Sequence, residues 1–153
     1  MTRATIPILT VLGALLGALL GIQDAPTTTT PSTTHFTTVD LFVDPHGNAL
    51  AAYQLEFVAD AARVTLVGIE GGEHPAYHQP PYYDPKALSG NRVILAALST
   101  ASELPNARTR VATLHLRVSG GSDEPKYQAI LEVAGNREGK PIAADVTVGQ
   151  GAK

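Results

Sequence analysis

The chain contains no cysteine and no tryptophan, and charged residues make up only 16% of its 153 positions. Without cysteine there is no disulfide, no thiolate nucleophile, no sulfur-ligated metal and no thiol for a lipid anchor, so stability rests on burial. Without tryptophan there is no broad indole platform of the kind that stacks on sugar rings. The net charge is −3 and the pI near 5.9, with lysine and arginine scattered rather than striped, which argues against a phosphate-backbone partner and so against nucleic acid. Helical periodicity of useful length is missing beyond residue 22.

What the sequence does have begins at its start. Ile6 to Ile22 is an uninterrupted apolar run, IPILTVLGALLGALLGI, preceded by the single cation Arg3. Its 17 residues stand at the border between a secretory signal and a minimal membrane anchor, which needs about 17–25. Gln23-Asp24-Ala25 is a poor cutting site, because cleavage wants small residues at and before it. Residues 1–24 therefore read as a signal peptide or an N-terminal membrane anchor, with a lean toward retention. The positive-inside preference puts the N-terminus in the cytoplasm and the rest in the periplasm or exterior. Gly13, Gly17 and Gly21, with Ala14 and Ala18 beside them, repeat at four-residue spacing, the pattern of close helix–helix approach in membranes. Residues 25–36 follow as a Thr/Pro-rich linker with too little apolar surface to repay ordering.

Residues 37–149 read as one all-β domain, about the size at which a single core becomes self-sufficient. Val39, Leu41 and Val43 alternate with Thr38, Asp40 and Phe42, and Asp44-Pro45-His46-Gly47 reads as a type I turn. Tyr53, Leu55 and Phe57 line one face of a second strand, and Val64 to Ile69 forms a third, closed by Gly71 and Gly72. Val93 to Leu98, apolar on both faces, reads as a central strand. Val111–Val118, Tyr127–Val133 and Ile142–Val148 complete seven strands, the pattern of an antiparallel β-sandwich. Between the third and fourth strands lies EHPAYHQPPYYDPKALSG, whose Pro75, Pro80, Pro81 and Pro85 bar it from the middle of a sheet and place it as an ordered excursion at the edge.

That excursion holds the densest set of chemistry-bearing side chains, Glu73, His74, His78 and Asp84. Two histidines four apart share a metal when they sit on a helix, and the prolines argue against one, so no metal, cofactor or catalytic residue is assigned. The serines Ser89, Ser99 and Ser102 lack a nucleophile-elbow setting. His115 reads as an outward-facing strand residue, and Arg108 and Arg110 as a solvated pair at a strand start. Recognition fits the excursion better than catalysis, since prolines lower the entropy lost on docking and tyrosines offer large contact area at few rotors. Tyr77, Tyr82 and Tyr83 are the candidate contacts, with His74 and His78 beside them.

Several segments together resemble bacterial cohesin domains: LAAYQLEF at residues 50–57, the strand at 64–68, NRVILAA at 91–97 and TRVATLHLRV at 109–118, ending near Gly120 and Gly121. The likeness covers about residues 39–148 and implies a jelly-roll-like sandwich related to cellulose-binding modules. It also implies a non-catalytic role, holding a protein partner or a polysaccharide outside the cell. The family's first-strand turn has no counterpart here, the Pro/Tyr-rich insertion is atypical of it, and no dockerin-type calcium loop is present. Two other roles compete: a structural subunit of a membrane complex, packed through Gly13, Gly17 and Gly21, and a metal-dependent hydrolase using the Pro-rich loop.

Overall fold

The computed structural model describes residues 33–121 and 123–151. The apolar run, its glycine face and the spacer up to residue 32 lie outside the described residues. No helix among the described residues is long and apolar enough to cross a membrane. Seven strands form: β1 Thr34–Asp44, β2 Ala52–Ala59, β3 Val64–Gly71, β4 Arg92–Leu98, β5 Thr109–Ser119, β6 Tyr127–Gly135 and β7 Asp145–Gln150. They make two antiparallel sheets, one in the order β3-β5-β1-β7 (sheet A) and one in the order β4-β2-β6 (sheet B). The only helical elements among the described residues are two single 3-10 turns, Pro75–Tyr77 and Pro85–Ala87.

Strict alternation builds the interior. On β2, Tyr53, Leu55, Phe57 and Ala59 are buried while Gln54, Glu56 and Val58 face outward. The fully buried Leu41, Leu66, Leu114 and Leu116 of sheet A meet Leu55, Phe57 and Leu95 of sheet B in one core. Each such side chain contributes about 1.5–3 kcal/mol by leaving water, which is how a chain without disulfides holds together. Three bulges adjust the ladders, one of them leaving Val67 unpaired between Leu66 and Gly68 on β3.

Four sequence expectations change. Val93–Leu98 is the edge strand β4 rather than a central one; its second apolar face is exposed, with Ile94 40% and Leu98 76% accessible. The last strand starts at Asp145 rather than Ile142, because Ile142 is held by its N–H to Ala134 O in the approach to the sheet. β1 starts at Thr34, so Thr34–Phe36 are strand residues. The turn after β1 is also of the other hand. Asn48 N–H bonds Pro45 O at 2.9 Å, and His46 and Gly47 between them have φ of +50° and +87°, the signature of a type I′ turn. His46 is held in that left-handed conformation by its N–H to Asp44 Oδ1 and by Nε2, 2.9 Å from Asp145 Oδ2.

Candidate functional site

The Pro/Tyr-rich excursion is strapped down along its length. At its start the backbone of Gly71 and Gly72 passes so close to its neighbours that a Cβ would fall 2.1 Å from His78 O and 2.2 Å from Arg110 O. Only glycine fits there. Gly72 N–H donates to Tyr77 O at 2.7 Å and Glu73 N–H to Arg110 O at 3.0 Å. At the far end Ser89 N–H bonds Leu66 O, Leu66 N–H bonds Gly90 O, and Asn91 Nδ2 donates to Ala59 O.

Three of the four candidate metal or acid–base side chains are engaged in holding the backbone. Glu73 Oε1 accepts from Arg110 N–H at 2.9 Å. His74 Nδ1 accepts from Ala76 N–H and caps the first 3-10 turn, with Pro75 at its first position. Asp84 repeats the device for the second turn, its Oδ1 accepting from Lys86 N–H beside Pro85. His78 is exposed, its N–H directed at Pro75 O. Among the described residues no three His, Cys, Asp or Glu side chains come together to hold a metal ion.

The three tyrosines part company. Tyr77 is a core residue, 3% exposed, and so cannot be a displayed contact in this fold. Its hydroxyl donates to Leu50 O at 2.8 Å, and its ring meets Tyr53 edge to face at 5.2 Å. Burial pushes both phenols well above the ordinary tyrosine range, and at Tyr53 the nearby Tyr77 adds to the effect. Tyr83 is half-buried against the core. Tyr82 is 81% exposed, yet its backbone is pinned: its N–H bonds Ala96 O at 2.8 Å and Ala96 N–H bonds Tyr82 O at 3.0 Å, a one-residue bridge on the outer edge of β4.

Between this loop and the outer face of sheet B runs a groove walled by Tyr82 and Tyr83 and floored by Gln54, Ile94 and Ala96, with Arg92 and Lys86 at its margin. The face beyond it is apolar in stripes. Ile94, Glu56 and Ile130 form one row across the sheet, Ala96, Gln54 and Val133 the next, and Leu98 stands beside Ala52. Ile130 is 44% and Val133 50% exposed. The polar members hold one another: Arg92 pairs with Glu56, and Gln54 bonds Glu132. This apolar face was missed by sequence reasoning; its signal was the two-faced apolarity of Val93–Leu98, which was read as burial.

The outer face of sheet A is built differently. Thr113 Oγ1 donates to Asp40 Oδ1 at 2.6 Å, and the Arg110 guanidinium reaches both, lying 3.8 Å from Asp40 Oδ1. Arg108 stacks 3.7 Å above the Phe42 ring instead of standing in water beside Arg110. His115 faces outward as its alternation predicts, with Nε2 2.9 Å from Glu70 Oε1, close enough for an ion pair although the angle falls short of a hydrogen bond. Of the three serines, Ser89 has φ +77° in the strapped end of the loop and Ser99 Oγ accepts from Ala101 N–H, while Ser102 offers its carbonyl to Arg137.

No family model, curated protein or solved structure matches the chain.

Proposed function

We propose that this chain is a non-catalytic binding domain that presents the Tyr82 groove and the apolar outer face of sheet B to a protein partner outside the cell membrane. The observation that carries the reading is Tyr82 itself, an 81% exposed aromatic whose backbone is fixed by two hydrogen bonds to β4. A large side chain held out of the core on a rigid support loses little entropy on contact, and tyrosine is enriched at the centres of binding surfaces. Ile94, Leu98, Ile130 and Val133 extend the apolar area around it. The motif likeness to cohesins supports a cohesin-like sandwich in a presentation role, and the run from Ile6 to Ile22 supports export with an N-terminal tether.

The test uses the full chain, immobilised, against the secreted and surface proteins of the cell that makes it, with a glycan array in parallel. A protein partner retained by the native chain and by Tyr77→Phe, but lost with Tyr82→Ala or Ile94→Lys, is the expected result. Retention of a glycan alone moves the reading to polysaccharide, and retention that is indifferent to both surface changes removes it. The intact mass of the exported protein decides whether residues 1–24 stay.

A further inference from the structure

Among the described residues, sheet B has a raised margin on one side only. Along β4 the loop residues Tyr82 and Tyr83 stand as a wall, fixed by the two bonds between Tyr82 and Ala96. The opposite margin is β6, where Ile130, Glu132 and Val133 are exposed. Between the margins the outward side chains fall into three columns. β4 supplies Ile94 and Ala96, β2 supplies Glu56 and Gln54, and β6 supplies Ile130 and Val133, row for row. Neighbouring strands lie about 4.8 Å apart, so the two apolar columns are about 10 Å apart with the polar column between them.

The polar groups of this face are arranged so that a like face can approach it. Glu56 lies low under Arg92, with 14% of its side chain exposed against 57% for Arg92, and the pair is neutral. Asp84, at the foot of the wall, turns Oδ1 to Lys86 N–H. Two charges are left over, one at each margin. The Lys86 ammonium on the wall side has no partner among the described residues, and the Glu132 carboxylate on the β6 side meets only the neutral amide of Gln54. A partner that suits both margins therefore offers an acid to the wall and a base to β6, with apolar columns spaced about 10 Å between them. The chain's own sheet B has that layout.

We propose that the partner of this face is a second copy of the chain, an inference that rests on the reading of sheet B as the binding face. The two copies are related by a two-fold axis that runs parallel to the strands above β2. That axis sets β4 of each copy opposite β6 of the other with the rows in step, so Ile94 meets Ile130 and the small Ala96 receives Val133 of the second copy. The single wall then closes over the unwalled margin of the other copy, twice, and brings Lys86 toward Glu132 of the second copy at each end of the interface. The Glu56 carboxylates near the axis are each covered by Arg92 of their own chain. A face three strands wide plus the wall, along a β4 of seven residues, buries roughly 900 Å² in all, which belongs to the weak, transient class of interface. Association is accordingly expected only where copies are concentrated.

Because the chain has no cysteine, a single introduced thiol reports on its own position. The full chain is treated with a short bis-maleimide, which spans the gap of about 10 Å between packed sheets. Gln54→Cys, beside the axis, is expected to cross-link to dimers, and a mixture of Ile94→Cys and Ile130→Cys chains to give more dimer than either alone. Val67→Cys, exposed on sheet A, is expected to give none. Ile94→Lys added to Gln54→Cys buries a charge without a partner and is expected to weaken the association by about tenfold or more. Cross-linking at Val67→Cys as strong as at Gln54→Cys, a Gln54→Cys dimer indifferent to Ile94→Lys, or Ile94→Cys that links best to itself overturns the proposal. Capture of a different protein that is lost with Ile94→Lys, together with no dimer from Gln54→Cys, overturns this inference and leaves the binding-face reading standing; neither capture nor dimer removes both.

Discussion

The two outer faces of the domain solve the same problem in opposite ways. On sheet A the polar residues that point away from the core are largely spoken for: Asp40 is 8% exposed beneath Thr113 and Arg110, and Arg108 covers Phe42, so that exposed apolar side chains are confined to Phe36 and Val67 among the described residues. On sheet B the corresponding positions are Ile94, Leu98, Ile130 and Val133, open to solvent among the described residues, and the polar groups between them pair with one another. A face whose polar groups are satisfied by its own side chains has little to offer a partner. A face with standing apolar area and a fixed tyrosine does. Burial, rather than residue type, thus separates the structural side chains from those available for recognition, and the sharpest case is Tyr77 against Tyr82, five positions apart.

That contrast can be broken by mutation, and the largest effect belongs to Tyr77. Tyr77→Ala removes a buried ring and strands Leu50 O, so chemical denaturation is expected to show a loss of about 3–5 kcal/mol. The second effect is with pH. The folded state keeps the Tyr53 and Tyr77 phenols protonated above the pH at which the unfolded chain ionises. Their contribution is therefore complete below about pH 10 and declines above it, by about 1.4 kcal/mol per pH unit for each phenol. Tyr77→Phe is expected to make the slope of stability against pH shallower in that window; an unchanged slope contradicts the burial of that hydroxyl. Third, Asp40→Ala leaves Thr113 and Arg110 without their acceptor, and a loss of about 2 kcal/mol is expected by thermal or urea unfolding, with most of it retained in Asp40→Asn. Smallest of all, Tyr82→Ala and Leu98→Ser alter stability by less than about 0.5 kcal/mol, because the side chains touch mainly water. A large destabilisation from Leu98→Ser would show that sheet B's outer face is covered by this chain.

The all-β class and the positions of the strands were readable from alternation because a side-chain period of two is local, and Tyr53-Leu55-Phe57 carries it plainly. Strand order was not readable. Val93-Ile94-Leu95 is apolar on both faces whether β4 is central or at an edge, and only the pairing with β2, some forty residues earlier, tells the two apart. The excursion was legible as a loop from its prolines, and its place along the sheet edge holds in the Tyr82–Ala96 bridge. Which tyrosine turns inward depended on the Gly71–Gly72 approach to β5, a tertiary contact with no sequence period. The turn after β1 was misread for a similar reason: its frame lies one residue further on, at Pro45–Asn48, and His46, with φ +50°, lies against Asp145, 99 residues away.

The Tyr82 bridge has one more consequence, for solubility. β4 is seven residues long, apolar and at the margin of its sheet, the kind of strand that recruits copies of itself into extended aggregates. By occupying both backbone groups of Ala96, close to the middle of that margin, the proline-stiffened loop interrupts the template. Shortening the loop would do more than remove a tyrosine from the surface: it would open that edge as a seed for self-association.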